Sequence, residues 1–370
     1  MISLPDMLKL DWVTGKTNTP VYVLSAGDKN VNARIQSRLI SLSLTDNRGF
    51  EADQLDIELD DSDGLLSLPR RGTELSLHLG WQGEPLIHKG KFIVDEIEYS
   101  GAPDKIIIRA RSADFRAMFN INREVSYHQK TISDIVHTIA VRNDLTPKVD
   151  KMLANITLSH IDQTNESDGN FLTRLAKQEG AIATIKNGYL LFIRQGQNKA
   201  ASGQLLPVVI ITRQSGDGHR FSLVDRGAYT GVSASWLNTR DPKKKERVTV
   251  KRKQSKSNPQ AKEEKQGDYL VGSEGNVFVM KHIYANKANA ERAAKAEWEK
   301  IQRGVTSFSI RLAKGRPELF PEMKVRVSGF KPEIDMADWT VVTVTHTLND
   351  NGLTSVLQLE VKISDTDMST

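Results

Sequence analysis

The side-chain period of this chain changes twice along its length, and that change limits the possible folds more than any other feature. In the first third, apolar residues recur at every second position, as in Leu55, Ile57, Leu59 and again in Leu75, Leu77, Leu79, with Asp56, Glu58, Ser76 and His78 between them. Successive side chains of a strand point to opposite faces, so the pattern predicts a half-buried antiparallel sheet. The strand-sized runs are residues 21–24, 39–44, 54–59, 74–79, 90–99 and 105–111. Turn signals at Gly49, Gly64, Gly72 and Gly101 separate them at the spacing of a sandwich or small barrel.

The period then becomes 3.6. Thr131-Ile132-Ser133-Asp134 has the form of a capping box, and Ile132, Ile135, Val136, Ile139 and Ala140 make one apolar face that ends before Pro147. A second helix is predicted over 167–179, with Phe171, Leu172, Leu175 and Ala176 as its stripe and Gly180 as its stop. The stretch Glu166-Ser167-Asp168 reads as its start, because hydroxyl and carboxylate groups there satisfy free amides. With strands at 181–185 and 189–194, these helices predict an α+β domain.

Strands return at 206–212, 220–223 and 228–236, and again at 307–312, 323–327, 339–348 and 355–361. Between the two groups lie a basic loop and a third helix, over 287–303, with Ala290, Ala294, Trp298 and Ile301 on one side. The predicted fold is therefore mixed β and α+β and multidomain. Residues 1–118 form a first antiparallel β-barrel-like module, 119–202 the α+β domain, 203–239 with 305–370 a second, similar module, and 240–304 a basic loop plus helix inserted in it. Leu68-Pro69, Leu75, Gly80-Trp81, residues 92–99 and 106–108 follow the same order as Phe320-Pro321, Val325, Gly329-Phe330, residues 339–346 and 356–357. That order points to an internal duplication, although few identities support it.

Several chemistries are excluded at this level. The chain of 370 residues has no cysteine, which removes disulfides, thiolate metal sites and Cys nucleophiles. Its apolar runs are far shorter than a bilayer-spanning helix, so no membrane insertion is expected, and the N-terminus lacks a secretory pattern, so a product made in the cytoplasm is expected. Thr14-Gly15-Lys16-Thr17 lacks the first glycine of a phosphate loop, since Leu10 stands there. Asp60-Asp61-Ser62-Asp63-Gly64 fails as a calcium loop, because Leu59 and Arg70 occupy its first and last ligand positions; an acidic turn fits better. The histidines show no zinc spacing and no nucleophile elbow is present, so no metal, cofactor or catalytic residue is assigned. Asp95, Glu96 and Glu98 read as solvated strand acids, and Trp81, Trp236, Trp298 and Trp339 as core anchors.

The net charge of +5 is local. Residues 240–265 hold eleven Lys/Arg against four Asp/Glu, a local +7 that leaves the remainder near −2. Lys243, Lys244, Lys245, Arg247, Lys251, Arg252 and Lys253 are thus the candidate contacts for an anionic partner, with a solvated loop as the alternative.

A resemblance emerges from the ordered set of residues 53–61, Leu68-Pro69-Arg70-Arg71-Gly72, residues 90–97, Ala110-Arg111-Ser112-Ala113-Asp114, residues 163–168 with 171–176, and Asp225-Arg226-Gly227-Ala228-Tyr229. Together they resemble the phage late control protein D family, hubs of contractile tail baseplates that are similar to the base of type VI secretion spikes. The resemblance implies a non-enzymatic virion protein of a phage, prophage or tailocin. It implies a homotrimer whose six barrels form a pseudo-sixfold ring, lining the channel and joining the sixfold tail tube to a threefold central spike. Implied partners are the spike and tail tube proteins, with tape measure and baseplate wedge proteins as further candidates, and DNA passing the channel without sequence-specific binding. The chain stops soon after its second β-module, so the spike is expected to be a separate polypeptide. Two other classes stay open from the residues: a nucleic-acid-binding protein using the arm 240–265, and a tail-associated cell-wall hydrolase.

Overall fold

The computed structural model describes residues 18–112, 119, 121–186, 188–198, 204–223, 229–237, 266–272, 275–303 and 306–361. The first module contains β1 (Pro20–Ala26), β2 (Lys29–Asn30), β3 (Leu39–Asp46), β4 (Gln54–Asp60), β5 (Glu74–Trp81), β6 (Ile87–Ser100) and β7 (Lys105–Ser112). Its principal strands hydrogen-bond in the order β3-β4-β7-β6-β5-β1. Although β3 and β1 end that run, Leu42 and Leu44 of one share a buried cluster with Tyr22 and Leu24 of the other. The sheet therefore curls on itself around one core, as the alternation predicts.

The α+β part follows, with β8 (Asn122–Thr131), α1 (Ile132–Arg142), β9 (Thr146–Val149), β10 (Thr157–Ser167), α2 (Asp168–Gln178), β11 (Ala181–Lys186) and β12 (Tyr189–Arg194). Thr131 caps α1 through a full capping box: its hydroxyl accepts from the Asp134 amide, and the Asp134 carboxylate accepts from the Thr131 amide, each at 3.1 Å. Ser167 caps α2 by accepting from the Asn170 amide. The two apolar stripes meet in one cluster with Ile185, Leu190 and Phe192 of the sheet β11-β12-β9.

The second curled sheet uses β13 (Val209–Thr212), β14 (Gly216–Leu223), β18 (Thr306–Leu312), β19 (Lys324–Ser328), β20 (Trp339–Asn349) and β21 (Gly352–Glu360). Their pairing order is β14-β18-β21-β20-β19-β13, which repeats the first module strand for strand. The registers repeat as well. The β6-β7 pairing slips between Val94 and Glu96, and the β20-β21 pairing slips between Val341 and Thr343. The β3-β4 pairing slips between Leu39 and Ser41, and the β14-β18 pairing between Gly216 and Gly218. Phe92 and Trp339 take the same station, each opposite the second residue of its pairing partner, Leu75 or Val325. Coincident bulges are backbone features that alternation alone does not produce, so the two modules share one strand arrangement, as the residue order suggests. One difference remains: β1 runs antiparallel to β5, whereas β13 runs parallel to β19.

A fourth cluster corrects one reading. The strand predicted at 228–236 is β15 (Gly231–Leu237); placed by chain order in the second β-module, it pairs instead with β16 (Gln266–Gly272) and β17 (Val277–Tyr284) in a separate sheet. Val232, Ala234 and Trp236 face α3 (Lys287–Arg303), where Ala290, Ala293 and Ala294 let the helix approach closely. Residues 266–272 and 277–284 carry no clear two-residue alternation, which is why they read as loop.

Candidate functional site

Among the described residues, the most highly constructed region is the seam between the two β-modules. The seam is a continuous sheet. The second half of β20 pairs antiparallel with β3, from Val344 opposite Asp46 to Asn349 opposite Ser41, so the modules share one thirteen-stranded sheet among the described residues. Side chains pin it from both ends. The Trp81 indole donates to the Gly315 carbonyl at 3.0 Å, and the Lys314 ammonium lies 5.0 Å from the centre of its ring. Lys89 on β6 crosses into the second module and donates to the carbonyls of Pro317 and Leu319 at 3.1 and 3.2 Å.

Two buried charge clusters tie in the third element. Arg48, just after β3, holds Glu360 at 2.6 Å and Glu322 at 2.7 Å, and donates to the Val341 carbonyl at 3.2 Å. Its Nε contact with Glu322 is an ion pair whose N–H does not point at the oxygen. Glu322 also accepts from the Gly196 amide at 2.7 Å, and burial raises the pKa of its carboxyl, against the opposing pull of Arg48. Glu322 stands at φ +74°, the station that Gly72 fills at φ +81° in the first module. The Gly72 amide donates to Val94, and the Glu322 amide donates to Val341, the same bond in each repeat. A side chain in that conformation costs about 1–2 kcal/mol, so a specific demand for the carboxylate must outweigh it.

Lys186 of β11 bridges Asp46 at 2.9 Å and also binds Asp53, linking the α+β part to the first module. Burial opposes its charge, and the two carboxylates overcome that and raise its pKa. Asp53 is pushed up to about 6, by burial first, with Lys186 lowering it and Asp46 raising it further. The geometry, one cation between two acids, supports a charged Lys186. Thr184 adds a hydroxyl bond to the Gly49 carbonyl at 2.7 Å. These contacts tie the three units to one another.

The acids singled out in the sequence are not convergent. Glu96 and Glu98 pair with Arg109 at 2.8 and 3.0 Å, and Asp95 pairs with Arg111 at 2.9 Å, all on the outer face. Asp168 does more than start α2: it is fully buried and accepts from Arg142, Asn143 and Gln163 at 3.1, 3.0 and 2.9 Å. Among the described residues, no group of three or more His, Asp or Glu is placed to hold a metal, and no helix is long and apolar enough to cross a membrane. Trp339, Trp236 and Trp81 are buried and Trp298 packs against the fourth cluster. The candidate anionic-partner residues Lys243, Lys244, Lys245, Arg247, Lys251, Arg252 and Lys253 lie outside the described residues. Arg48, Lys89, Lys186 and Glu322 were not legible as a site, because in sequence each resembles a solvated charge.

Residues 30–352 match the family model described as phage tail baseplate hub (GPD). The chain is 51% identical over 370 residues to the "probable baseplate hub protein" of Escherichia phage 186, covering 95% of each chain. Its fold is similar to that of the 43 kDa tail protein of prophage MuSo2 from Shewanella oneidensis, with a TM-score of 0.67 at 14% identity, over 94% of this chain and all of the other. It is also similar to the E. coli c3393 protein, a component of the type VI secretion system with structural similarity to T4 tail proteins gp27 and gp5. That match has a TM-score of 0.53 at 11% identity, over 88% of this chain and 73% of the other.

Proposed function

Because the chain belongs to the phage tail baseplate hub family, and so to the virion tail, we propose that it acts as a homotrimeric symmetry adaptor within the baseplate. Three copies supply six barrels to a pseudo-sixfold ring that meets the sixfold tail tube on one face and the threefold central spike on the other. The observation that carries this reading is the repeat itself: two modules with one strand order and coincident bulges, joined through a sheet-edge seam. A unit repeated twice per chain converts threefold symmetry into approximate sixfold symmetry without a second gene product. The ion pairs at the seam support the same reading, since an adaptor transmits geometry only if its modules keep their relative angle.

The units of this proposal are 1–118, 119–202, the second barrel of 203–230 with 305–370, and an insertion that begins at β15. The work of such a hub is binding and release, with no bond chemistry. The pairing of Asp95, Glu96 and Glu98 with arginines weighs against a hydrolase. The spike and tube proteins are the primary partners, and tape measure and wedge proteins the secondary ones. The channel passes DNA without reading its sequence, and the basic residues from Lys243 to Lys253 supply contacts to an acidic neighbour or to that DNA.

Light scattering after size exclusion tests the adaptor, alone and mixed with the spike protein. The expected mass of the hub component is three times 41.3 kDa, about 124 kDa, in at least the mixture. A hub that stays monomeric under both conditions contradicts the proposal.

A further inference from the structure

The seam inside the chain has a counterpart that one chain leaves open. In the second module β14 stands where β3 stands in the first, paired on one edge with the corresponding strand and carrying the same bulge. The other edge of β3 is taken by β20, whereas β14 has no neighbour on its other edge among the described residues. Likewise β6 stands where β20 stands. β21 occupies one edge of β20 along its length, so β19 and β3 share the other edge, β19 through Trp339 and Thr340 and β3 from Val344 onward. In β6 the matching edge pairs with β5 only as far as Ile93, and from Ile97 to Ser100 it is open among the described residues.

Burial marks the same two places. Tyr99 is 54% exposed, while His346 at the equivalent station is 0% exposed. Leu223 is 54% exposed, while Asp46 at its equivalent station is 8% exposed. His219 is exposed where its counterpart Leu42 is fully buried. In each pair the strand lacking a neighbour is the exposed one. A bare edge with apolar side chains invites strand addition, and natural sheets rarely leave one uncovered.

We propose that β14 of one copy adds antiparallel to the open half of β6 in the next copy, reproducing between chains the β3-β20 seam found within each chain. The register follows by transfer: Ile97 opposite Leu223, Glu98 opposite Ser222, Tyr99 opposite Phe221, and Ser100 opposite Arg220. On the inner face Tyr99 then meets Phe221, an aromatic cross-strand pair; on the outer face Arg220 sits diagonally from Glu98, with opposite charge. The contact is head-to-tail, so it closes a ring when intrachain and interchain seams alternate. This inference rests on the ring reading and names the strands that would make it.

The test uses the absence of native cysteine. At the intrachain seam, the hydroxyl oxygens of Thr45 and Thr345 lie 3.4 Å apart. Their equivalents between chains are Ser222 and Glu98, so cysteines there are within disulfide reach. Tail particles carrying Glu98→Cys with Ser222→Cys are oxidised and run on denaturing gels without reductant. Thr45→Cys with Thr345→Cys serves as the control that closes within one chain. The expected result is a reducible ladder ending at three chains for the first variant and a single-chain band for the control. If the control closes and the particles hold three copies, but the first variant stays single-chain or joins to another tail protein, the β14-β6 contact is wrong and the ring reading stands. If copy number in the particle is not three, both fall.

Discussion

Replacing Arg48 with alanine is expected to cost about 3–5 kcal/mol of stability, because it removes one member of a buried ion cluster and leaves the others in place. Arg48 is the sole cation within ion-pair distance of Glu322 and Glu360 among the described residues, and its side chain is 13% exposed. Without it, two carboxylates face each other across a poorly hydrated gap, and the Val341 carbonyl loses a donor. Glu322 would also keep its positive-φ conformation with less to hold it there. Arg48→Lys retains the charge and loses the fork that reaches both acids, so an intermediate loss is expected. Chemical denaturation of the purified variants reads both effects. A loss below about 1 kcal/mol for Arg48→Ala, the level of a surface pair, would mean that the seam does not depend on this cluster. Because Glu322 and Glu360 belong to the second module and Arg48 to the first, the variant should also reduce incorporation of the hub into particles more than its residual fold predicts.

The second large effect is expected from acid. His346 lies on β20 opposite Leu44 of β3, fully buried, with its Nδ1 2.8 Å from the Ser355 hydroxyl. Burial above all, with the nearby Lys89 ammonium, brings its pKa down from 6.5 to about 3. The unfolded chain takes up a proton at this residue below about pH 6.5 while the folded chain refuses it. The stability that neutral His346 contributes is therefore present above pH 6.5 and is lost as pH falls toward 3, by about 4–5 kcal/mol over the whole interval. Asp53 works in the opposite direction. Its folded pKa of about 6 lies above the ordinary 3.8, so its contribution is present below 3.8 and lost as pH rises through 6. The His346 effect is best read as a difference between the native chain and His346→Gln, whose denaturation midpoints should converge as pH is lowered from 7 to 4. Direct titration of the imidazole by NMR gives a second reading: its signals should not move between pH 7 and 5. Movement centred near 6.5 would show that the ring is hydrated and that the seam is open there.

Much of this fold was legible because its causes are local. Thr131 and Ser167 announce helix starts through hydrogen bonds spanning three residues, and Leu55, Ile57 and Leu59 declare their buried face by parity alone. The duplication was only half legible. Alternation conserves polarity and leaves identity free, so Phe92 and Trp339, or Gly72 and Glu322, fill equivalent stations with little in common. The bulges at Asp95 and Val342, which align the two modules, are backbone events with no residue signature. The seam was illegible for a related reason. Lys89 sits at a register slip in β6 beside Gly90, so parity cannot place its side chain, and it is buried by residues more than two hundred positions away. Lys186 ends an apolar strand in the manner of an ordinary solvated lysine, and its partners come from a different module. The insertion misled because β15 pairs with strands after the basic run, across residues whose composition favours loop.

The most direct test of the adaptor is a cryo-electron microscopy reconstruction of the tail tip, computed without imposed sixfold symmetry. The expected map contains three copies of this chain in one ring, with six barrel densities alternating between first and second modules, the tube on one face and the spike on the other. A ring in which only one module of each chain takes part, or a hub present in any number other than three, would contradict the account.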